Sequence, residues 1–270
     1  MTTLEQAVIE LLKPLFRGEL AALGETLVCG DPAAPGLQPL AALLASPAAL
    51  DALLARHAAF RRCDDLRPVA SAWMLDYAGV LLPAVVAGAS VLQHLFPVAA
   101  GSVALQLDGH ARVRAVVIPT LGHAAPGQDS ASRYGPLLDG HLAPLIARLS
   151  ERARLPEKLL WGSVSRWLEP ILEQAAAAAS GLPPLAALVA ADHAYLLEQE
   201  KWPDGRRNPL FGRRKHAAPQ GGQPGGHDKP MLLHRQCCLY YRLPGESHCG
   251  ACPLSPALRR ARGAALRDAA

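Results

Sequence analysis

The chain has 270 residues, of which half are hydrophobic and 19% are charged. A chain of this length can bury a sizeable core, and this composition excludes a disordered protein. Residues 201–270 contain thirteen Lys or Arg and four Asp or Glu, whereas residues 1–200 contain fourteen and nineteen. The basic end has no helix-turn-helix, KH or RRM signature, so we expect no binding to nucleic acid.

The first third of the chain is predicted to alternate helices with loops. Residues 3–16 have the apolar period of an amphipathic helix, with Thr2 and Glu5 as its capping box. Residues 29–39 are rich in proline and predict a loop. Ser46-Pro47 suits the N-cap and the first position of a second helix, which is expected to run to about Arg62.

The middle of the chain is predicted to contain a buried helix and a hairpin. No charged residue occurs from Tyr77 to Leu107. Prolines and glycines interrupt that run, so we expect a buried helix rather than a membrane span. Alternation over residues 103–118 predicts an antiparallel hairpin that closes at Asp108-Gly109 through a type I′ turn. Residues 119–136 are predicted to be a loop.

The second half is predicted to continue as helices at about 140–153, 157–179 and 184–200. Residues 217–230 include a Gly-, Pro- and Gln-rich run and are predicted to be a flexible linker. They separate a helical α+β body, residues 1–216, from a C-terminal segment, residues 231–270, whose end is predicted to be a short basic helix. The last 40 residues are too few for a core of their own, so we expect this segment to pack on the body.

Four of the six cysteines lie in the C-terminal segment in the pattern C-C-x10-C-x2-C, as Cys237, Cys238, Cys249 and Cys252. Disulfides are disfavoured, because vicinal cysteines bond to each other only through a strained ring. The first twenty residues also lack the pattern of a secretory signal. A cysteine cluster in that setting is typical of a metal or redox site. Cys29 and Cys63 stand alone and are assigned as small buried hydrophobic residues outside the site.

The spacing of the four thiols is compatible with two kinds of metal site, zinc and a 2Fe–2S cluster. Cys249 and Cys252 form a knuckle of the kind that zinc sites usually use in pairs. Cys237 and Cys238 have no spacer, and neighbouring side chains of an extended chain point apart. The two irons of a 2Fe–2S cluster need two thiolates each, which suits such a pair better. The spacing therefore favours an iron–sulfur cluster and keeps a zinc-stabilised binding module as the alternative.

The cysteine pattern and the residues around it resemble the FhuF family of ferric-siderophore reductases. The matching features are Trp161-Gly162-Ser163-Val164, Asn208-Pro209-Leu210, Arg235, Tyr241, Leu243-Pro244 and Cys252-Pro253. The resemblance implies that Cys237, Cys238, Cys249 and Cys252 hold a 2Fe–2S cluster. Together with the predicted helices and hairpin, this gives an expected fold that is α+β and predominantly helical, with a small antiparallel sheet and a C-terminal iron–sulfur segment.

The resemblance also implies one-electron reduction of iron(III) held in a siderophore. Hard oxygen donors suit iron(III) far better than iron(II), so the added electron releases the metal. Family members act on siderophores delivered by an inner-membrane transporter. We therefore expect a cytoplasmic protein, with peripheral contact at the inner membrane. FhuF-like segments also occur joined to siderophore synthetases, which keeps an accessory role without reductase turnover as an alternative.

The source of the electron is predicted to be another protein. The sequence has no G-x-G-x-x-G after a strand and no G-x4-G-K-[ST], so no nicotinamide or nucleotide site is expected. A ferredoxin, a flavodoxin or a reductase is expected to dock on the basic C-terminal face as a one-electron donor. Arg235, Arg242 and His248 are the candidates for residues around the cluster, where the arginines would offset its negative charge. Solvent exposure is the alternative for each.

Overall fold

A computed structural model describes residues 7–212, 214–217 and 231–256. Helices α1 to α7 are Leu40–Ala45, Pro47–Arg61, Leu66–Val91, Ser130–Leu137, Ala143–Ala153, Glu157–Ala179 and Pro183–His193. Strands β1 to β9 are Ala7–Val8, Leu27–Cys29, Gln38–Pro39, His94–Leu95, Ala104–Leu107, Val113–Ile118, His123–Ala124, His216–Ala217 and Met231–Leu232. These elements confirm the predicted α+β, predominantly helical fold with a small sheet.

The main sheet has the strand order β1-β2-β6-β5-β3 and is antiparallel except for the parallel pair β2–β6. Its β5–β6 hairpin confirms the hairpin predicted over residues 103–118. The predicted type I′ turn is wrong, because Leu107 pairs with Val113 and leaves a five-residue loop. The Asp108 carboxylate accepts the backbone N–H groups of His110 and Arg112, each at 2.9 Å, and so shapes that longer loop.

The amphipathic helix predicted over residues 3–16 is wrong in its described part. Ala7 pairs with Cys29 at the edge of the main sheet. Short 3-10 helices follow at Glu10–Leu12 and Gly18–Gly24. Pairing with β2 outweighs the helical spacing of the leucines here, because helix propensity is only a weak predictor when tertiary contacts compete. The predicted capping box of Thr2 and Glu5 lies outside the described residues.

The helices predicted between residues 46 and 200 form, and two that were not predicted, α1 and α4, are added. Ser46 Oγ accepts the N–H of Ala49 at 3.2 Å and caps α2, as predicted. Helices α5 and α6 lie within the predicted ranges, α7 begins one residue earlier than predicted, and a π-helical turn at Ala194–Glu198 extends α7. The loop predicted over residues 119–136 is wrong in two places. His123–Ala124 form β7, which pairs with β4, and α4 begins at Ser130 under an Asp129 cap.

Helix α3 runs through the centre of the protein and is buried along most of its length. By length and composition it would suffice to cross a membrane, yet 78% of its most apolar window is buried within the protein. The prediction of a buried helix is therefore confirmed. Gly79 of α3 lies against Trp167 of α6, where an added Cβ would meet the indole at 2.5 Å. Trp167 also donates its Nε1–H to Leu75 O at 3.0 Å, which fixes α6 beside α3.

The described part of the C-terminal segment lies on α3 and α6. His216 of β8 pairs with Leu232 of β9, which joins the chain before and after residues 218–230. Leu243 packs on Val69 and Ala72 of α3. The division into body, linker and cluster segment stays a prediction. Residues 218–230 and nearly all of the predicted basic helix lie outside the described residues.

Candidate metal centre

The four clustered cysteines form two pairs of neighbouring thiols. The Cys237 thiol lies within hydrogen-bonding reach of Cys252, and the Cys238 thiol lies within reach of Cys249. Leu239 follows the vicinal pair in a left-handed conformation, with φ at 57°. Its N–H donates to Cys237 Sγ at 3.3 Å. This turn directs the two vicinal thiols to different partners.

Two thiol pairs fit a 2Fe–2S cluster better than they fit a single ion. A tetrahedral zinc site gathers four ligands around one point. Across the residues that the structure describes, no three His, Cys, Asp or Glu side chains gather in that way. A 2Fe–2S cluster instead takes two thiolates at each iron. All six cysteines are free thiols. Cys29 in β2 and Cys63 just after α2 are partly exposed, so their assignment as buried residues is wrong.

The two vicinal thiols differ in acidity. The pKa of Cys238 is lowered to about 5 by a hydrogen bond from the Cys249 thiol and by the charge of Arg166, which together outweigh burial. Burial raises the pKa of Cys237 to about 11. The pKa of Cys249 is also raised, chiefly because its thiol donates to Cys238. Cys238 therefore has the lowest pKa of these three thiols. Since metals bind the thiolate form, it is the thiol that most readily becomes a ligand.

Arg166 of α6 is the cation that contacts the thiols, and the sequence did not reveal it. Its Nη1 lies 3.3 Å from Cys238 Sγ and 3.8 Å from Cys249 Sγ. Its Nε and Nη2 are buried and have no hydrogen-bond partner within the described part of the chain. Hydrogen bonds and positive charge at the sulfurs favour the reduced form of an iron–sulfur centre. Arg166 is therefore placed to tune the electron affinity of this site.

Arg235, predicted to lie at the cluster, binds a carboxylate on α6 instead. Its Nε donates to Glu169 Oε1 at 2.6 Å, and Arg214 binds Glu169 Oε2 at 2.9 Å. Glu169 is buried, so this network is shielded from water. Because Glu169 is shared by two guanidinium groups, it offsets the charge of Arg235 only in part. The ion pair fastens the residue two positions before Cys237 onto the body.

Arg242 and His248, the other two predicted neighbours of the cluster, also have partners elsewhere. Arg242 Nη2 lies 2.9 Å from Asp65 Oδ2, at the start of α3. The His248 ring stacks on Tyr241, with 4.2 Å between ring centroids and 11° between planes. These contacts hold the segment and its loop in place, so the predicted role of both residues at the thiols gains no support from the structure.

Gly162 allows the cysteine segment to lie directly on α6. A Cβ added at Gly162 would fall 2.5 Å from Gln236 Cβ. Gln236 precedes the vicinal cysteines, so the position of the thiols depends on this close approach. Gly162, Arg166 and Glu169 follow one another at helical spacing and share one face of α6. The sequence therefore contained one signal of this contact, which is the placement of a small residue, a cation and a carboxylate on the same face of the helix.

A surface groove of about 480 Å³ reaches one thiol pair. Its lining includes Cys238, Cys249, Arg166, Trp167 and Tyr240. Cys249 is partly exposed, whereas Cys237, Cys238 and Cys252 are buried. The centre is therefore accessible from the surface mainly at Cys249.

The fold and the two thiol pairs define an α+β protein with a cysteine-held cofactor centre in its C-terminal segment. A family model described as "Ferric iron reductase FhuF-like transporter" matches residues 71–223. A second model, described as "FhuF 2Fe-2S C-terminal domain", matches residues 235–254. The chain therefore belongs to the FhuF family of ferric iron reductases, as the sequence resemblance indicated, and its cofactor is a 2Fe–2S cluster.

No curated protein matches the chain. Among solved structures, aerobactin synthetase IucC from a hypervirulent pathotype of Klebsiella pneumoniae matches with a TM-score of 0.46 and 13% identity. That match covers 67% of this chain and 38% of the synthetase.

Proposed function

We propose that this protein is a ferric-siderophore reductase that passes one electron to siderophore-bound iron(III) and releases iron(II) in the cytoplasm. The observation that carries the proposal is the Cys238–Cys249 thiol pair, which lies in a surface groove beside the Arg166 guanidinium. Membership of a ferric iron reductase family with a 2Fe–2S segment supports it.

The residues of the chain have distinct tasks in this proposal. Cys237 with Cys252 and Cys238 with Cys249 would bind the two irons, one pair at each. When bound, the 2Fe–2S cluster supplies a carrier that holds one electron at a time. Burial of Cys237, Cys238 and Cys252 keeps most of the centre away from water, while the groove at the partly exposed Cys249 leaves it open to a partner. Arg166 offsets negative charge at the sulfurs. Release of the metal needs no acid, base or nucleophile, because oxygen donors hold iron(II) weakly.

The electron donor in this proposal is a separate protein, such as a ferredoxin, a flavodoxin or a reductase. The absence of a nucleotide-binding motif from the sequence supports that assignment. We also propose a cytoplasmic location with peripheral contact at the inner membrane, because the family receives siderophores from a transporter there. Fractionation with and without a salt wash tests the location. Recovery only in the soluble fraction at low salt would contradict the membrane contact.

Rapid mixing tests the proposed reaction. Protein purified anaerobically and reduced with dithionite, then freed of excess reductant, is mixed with a siderophore loaded with iron(III), with gallium(III), or with no metal. We expect fast reoxidation with the iron(III) form alone, since gallium(III) has similar coordination but accepts no electron. Reoxidation at one rate with all three would contradict reductase function and would favour an accessory role.

Rapid mixing also tests which molecule donates the electron. We expect NADPH alone to leave the oxidised protein unchanged, and a reduced ferredoxin or flavodoxin to reduce it. If opposite charges guide docking, the rate of that transfer falls as ionic strength rises. Fast reduction by NADPH without a second protein would overturn the proposal of a separate donor.

A further inference from the structure

A second cavity lies on the other side of the contact between α6 and the cysteine segment. Its volume is about 540 Å³, which is within the range of about 300–1,000 Å³ that small-molecule sites occupy. Gly162 and Ser165 contribute to its wall, whereas the next residue, Arg166, lines the groove at the thiols. The cavity and the groove therefore flank the same short stretch of α6.

The lining of this cavity is strongly basic. Lys158, Arg207, Lys215 and Arg235 all line it, together with the single carboxylate of Glu157. Arg235 shares the Glu169 carboxylate with Arg214. Within the part of the chain that the structure describes, the other three cations form no salt bridge. Three cations around one cavity raise the local concentration of anions and favour their binding.

The cavity is also close to the thiols. Arg235 and Gln236 line it, and Gln236 is followed directly by Cys237. Consecutive Cα atoms are about 3.8 Å apart, so a molecule that contacts Gln236 in the cavity lies one residue away from Cys237. An anion held there lies beside the centre without covering the groove that opens on Cys238 and Cys249.

We propose that this cavity binds the ferric chelate and selects chelates that carry net negative charge, such as siderophores with free carboxylates. The inference rests on the proposed reductase function and deepens it by naming the substrate class. In the reaction, iron(III) gains one electron and becomes iron(II). No bond to carbon forms or breaks, and the electron comes from the one-electron donor protein. The groove on the opposite side of α6 remains free for that donor.

Binding of gallium(III) chelates to the oxidised holoprotein tests the selectivity without electron transfer. One linear trihydroxamate with a terminal amine is used in three forms: unmodified, acetylated and succinylated. The metal coordination is the same in each, while the net charge is positive, neutral and negative. By calorimetry, we expect the negative form to bind most tightly and the positive form least tightly. Equal affinities for the three forms would overturn the inference.

Substitutions locate the selectivity in the cavity. Lys158→Gln, Arg207→Gln and Lys215→Gln should each weaken binding of the negative chelate about threefold to tenfold, as expected for one partly screened charge. Binding of the neutral chelate should change little. Lys13→Gln, at an exposed lysine paired with Glu10, is the control and should leave all affinities unchanged. Visible absorption verifies that each variant keeps its cluster. Unchanged affinities in all three cavity variants would refute the site.

The two proposals fail in different ways. Loss of charge preference with intact iron(III)-dependent reoxidation would refute the cavity and leave the reductase standing. Preferential binding of the negative gallium(III) chelate without any reoxidation by its iron(III) form would refute the reductase and leave an anionic-chelate binding site.

Discussion

Arg235 Nε lies 2.6 Å from Glu169 Oε1, and this ion pair joins the residue two positions before the vicinal cysteines to helix α6. Glu169 also binds Arg214, which precedes β8. One buried carboxylate thus fastens the chain on both sides of residues 218–230. The carboxylate is shared by two guanidinium groups, so these three side chains together keep one positive charge, while Arg166 contacts the thiols directly.

Arg166→Gln should lower the reduction potential of the cluster. Loss of one charge at about 6 Å with an effective dielectric constant of about 40 corresponds to roughly 1.4 kcal/mol, or about 60 mV for one electron. The measurement is a potentiometric titration followed by electron paramagnetic resonance. Arg242→Gln is the matched control, because Arg242 is paired with Asp65, and it should shift the potential much less. Equal potentials in wild type and Arg166→Gln would show that the guanidinium does not influence the cluster.

Replacing any of Cys237, Cys238, Cys249 or Cys252 with Ser should reduce the iron and sulfide content of anaerobically purified protein. The unchanged chain should hold two irons and two acid-labile sulfides. Cys29→Ser and Cys63→Ser are the controls and should retain both. Chemical analysis of iron, zinc and sulfide decides the matter. One zinc per chain with no sulfide would contradict the cluster.

Gly162→Ala should weaken retention of the cluster while α6 stays folded. Alanine alone would favour the helix by up to about 1 kcal/mol. Its Cβ would, however, fall 2.5 Å from Gln236 Cβ and push the cysteine segment away. We expect an unchanged far-UV circular dichroism spectrum and faster loss of visible absorption in the presence of a chelator.

Gly135→Ala is the control for that substitution, because Gly135 is also helical and has open space where its Cβ would stand. It should lose the cluster at the wild-type rate. If Gly162→Ala also lost its cluster at that rate, the close approach of segment and helix would not matter for the site.

Acid should destabilise the protein through His141. This histidine is fully buried, donates from Nδ1 to Val98 O and accepts the Tyr77 hydroxyl at Nε2 over 2.5 Å. Burial lowers its pKa to about 4 from 6.5. Between these values the unfolded chain binds a proton that the folded chain does not. Stability is therefore full above the unfolded pKa and falls as pH falls, by about 2 kcal/mol between pH 7 and pH 5.

Urea unfolding of wild type and His141→Gln at both pH values isolates this contribution. Glutamine cannot titrate, so the variant should lose less stability between pH 7 and pH 5. His57, whose pKa is also lowered to about 4 by burial, acts equally in both proteins. The same loss in wild type and variant would mean that His141 is not the responsible group.

The sequence predicted those features that local patterns determine. Ser46-Pro47 specified the start of α2, and alternation specified the β5–β6 hairpin. The cysteine spacing indicated an iron–sulfur centre. Periodicity failed at residues 7–12, where a strand pair with β2 and a 3-10 helix replace the expected helix. A strand partner that lies twenty residues away leaves no mark on the local period.

The environment of the thiols was harder to predict for a similar reason. Arg235 and Arg242 are near the cysteines in sequence and were the obvious cations. Each is matched by a distant carboxylate, Glu169 or Asp65, which spacing cannot reveal. Arg166 lies more than seventy residues before Cys238 and reaches it only because α6 packs against the segment.

The β8–β9 pair has a consequence for how the chain can be altered. His216 and Leu232 lie side by side, so strand pairing and the Arg235–Glu169 ion pair set the position of the cysteines, whatever the length of chain between the two strands. Doubling the length of a flexible loop adds only about 0.6 kcal/mol of closure entropy. The sequence predicts a flexible linker over residues 217–230, so we expect a reporter or an affinity tag inserted there to leave the redox centre in place.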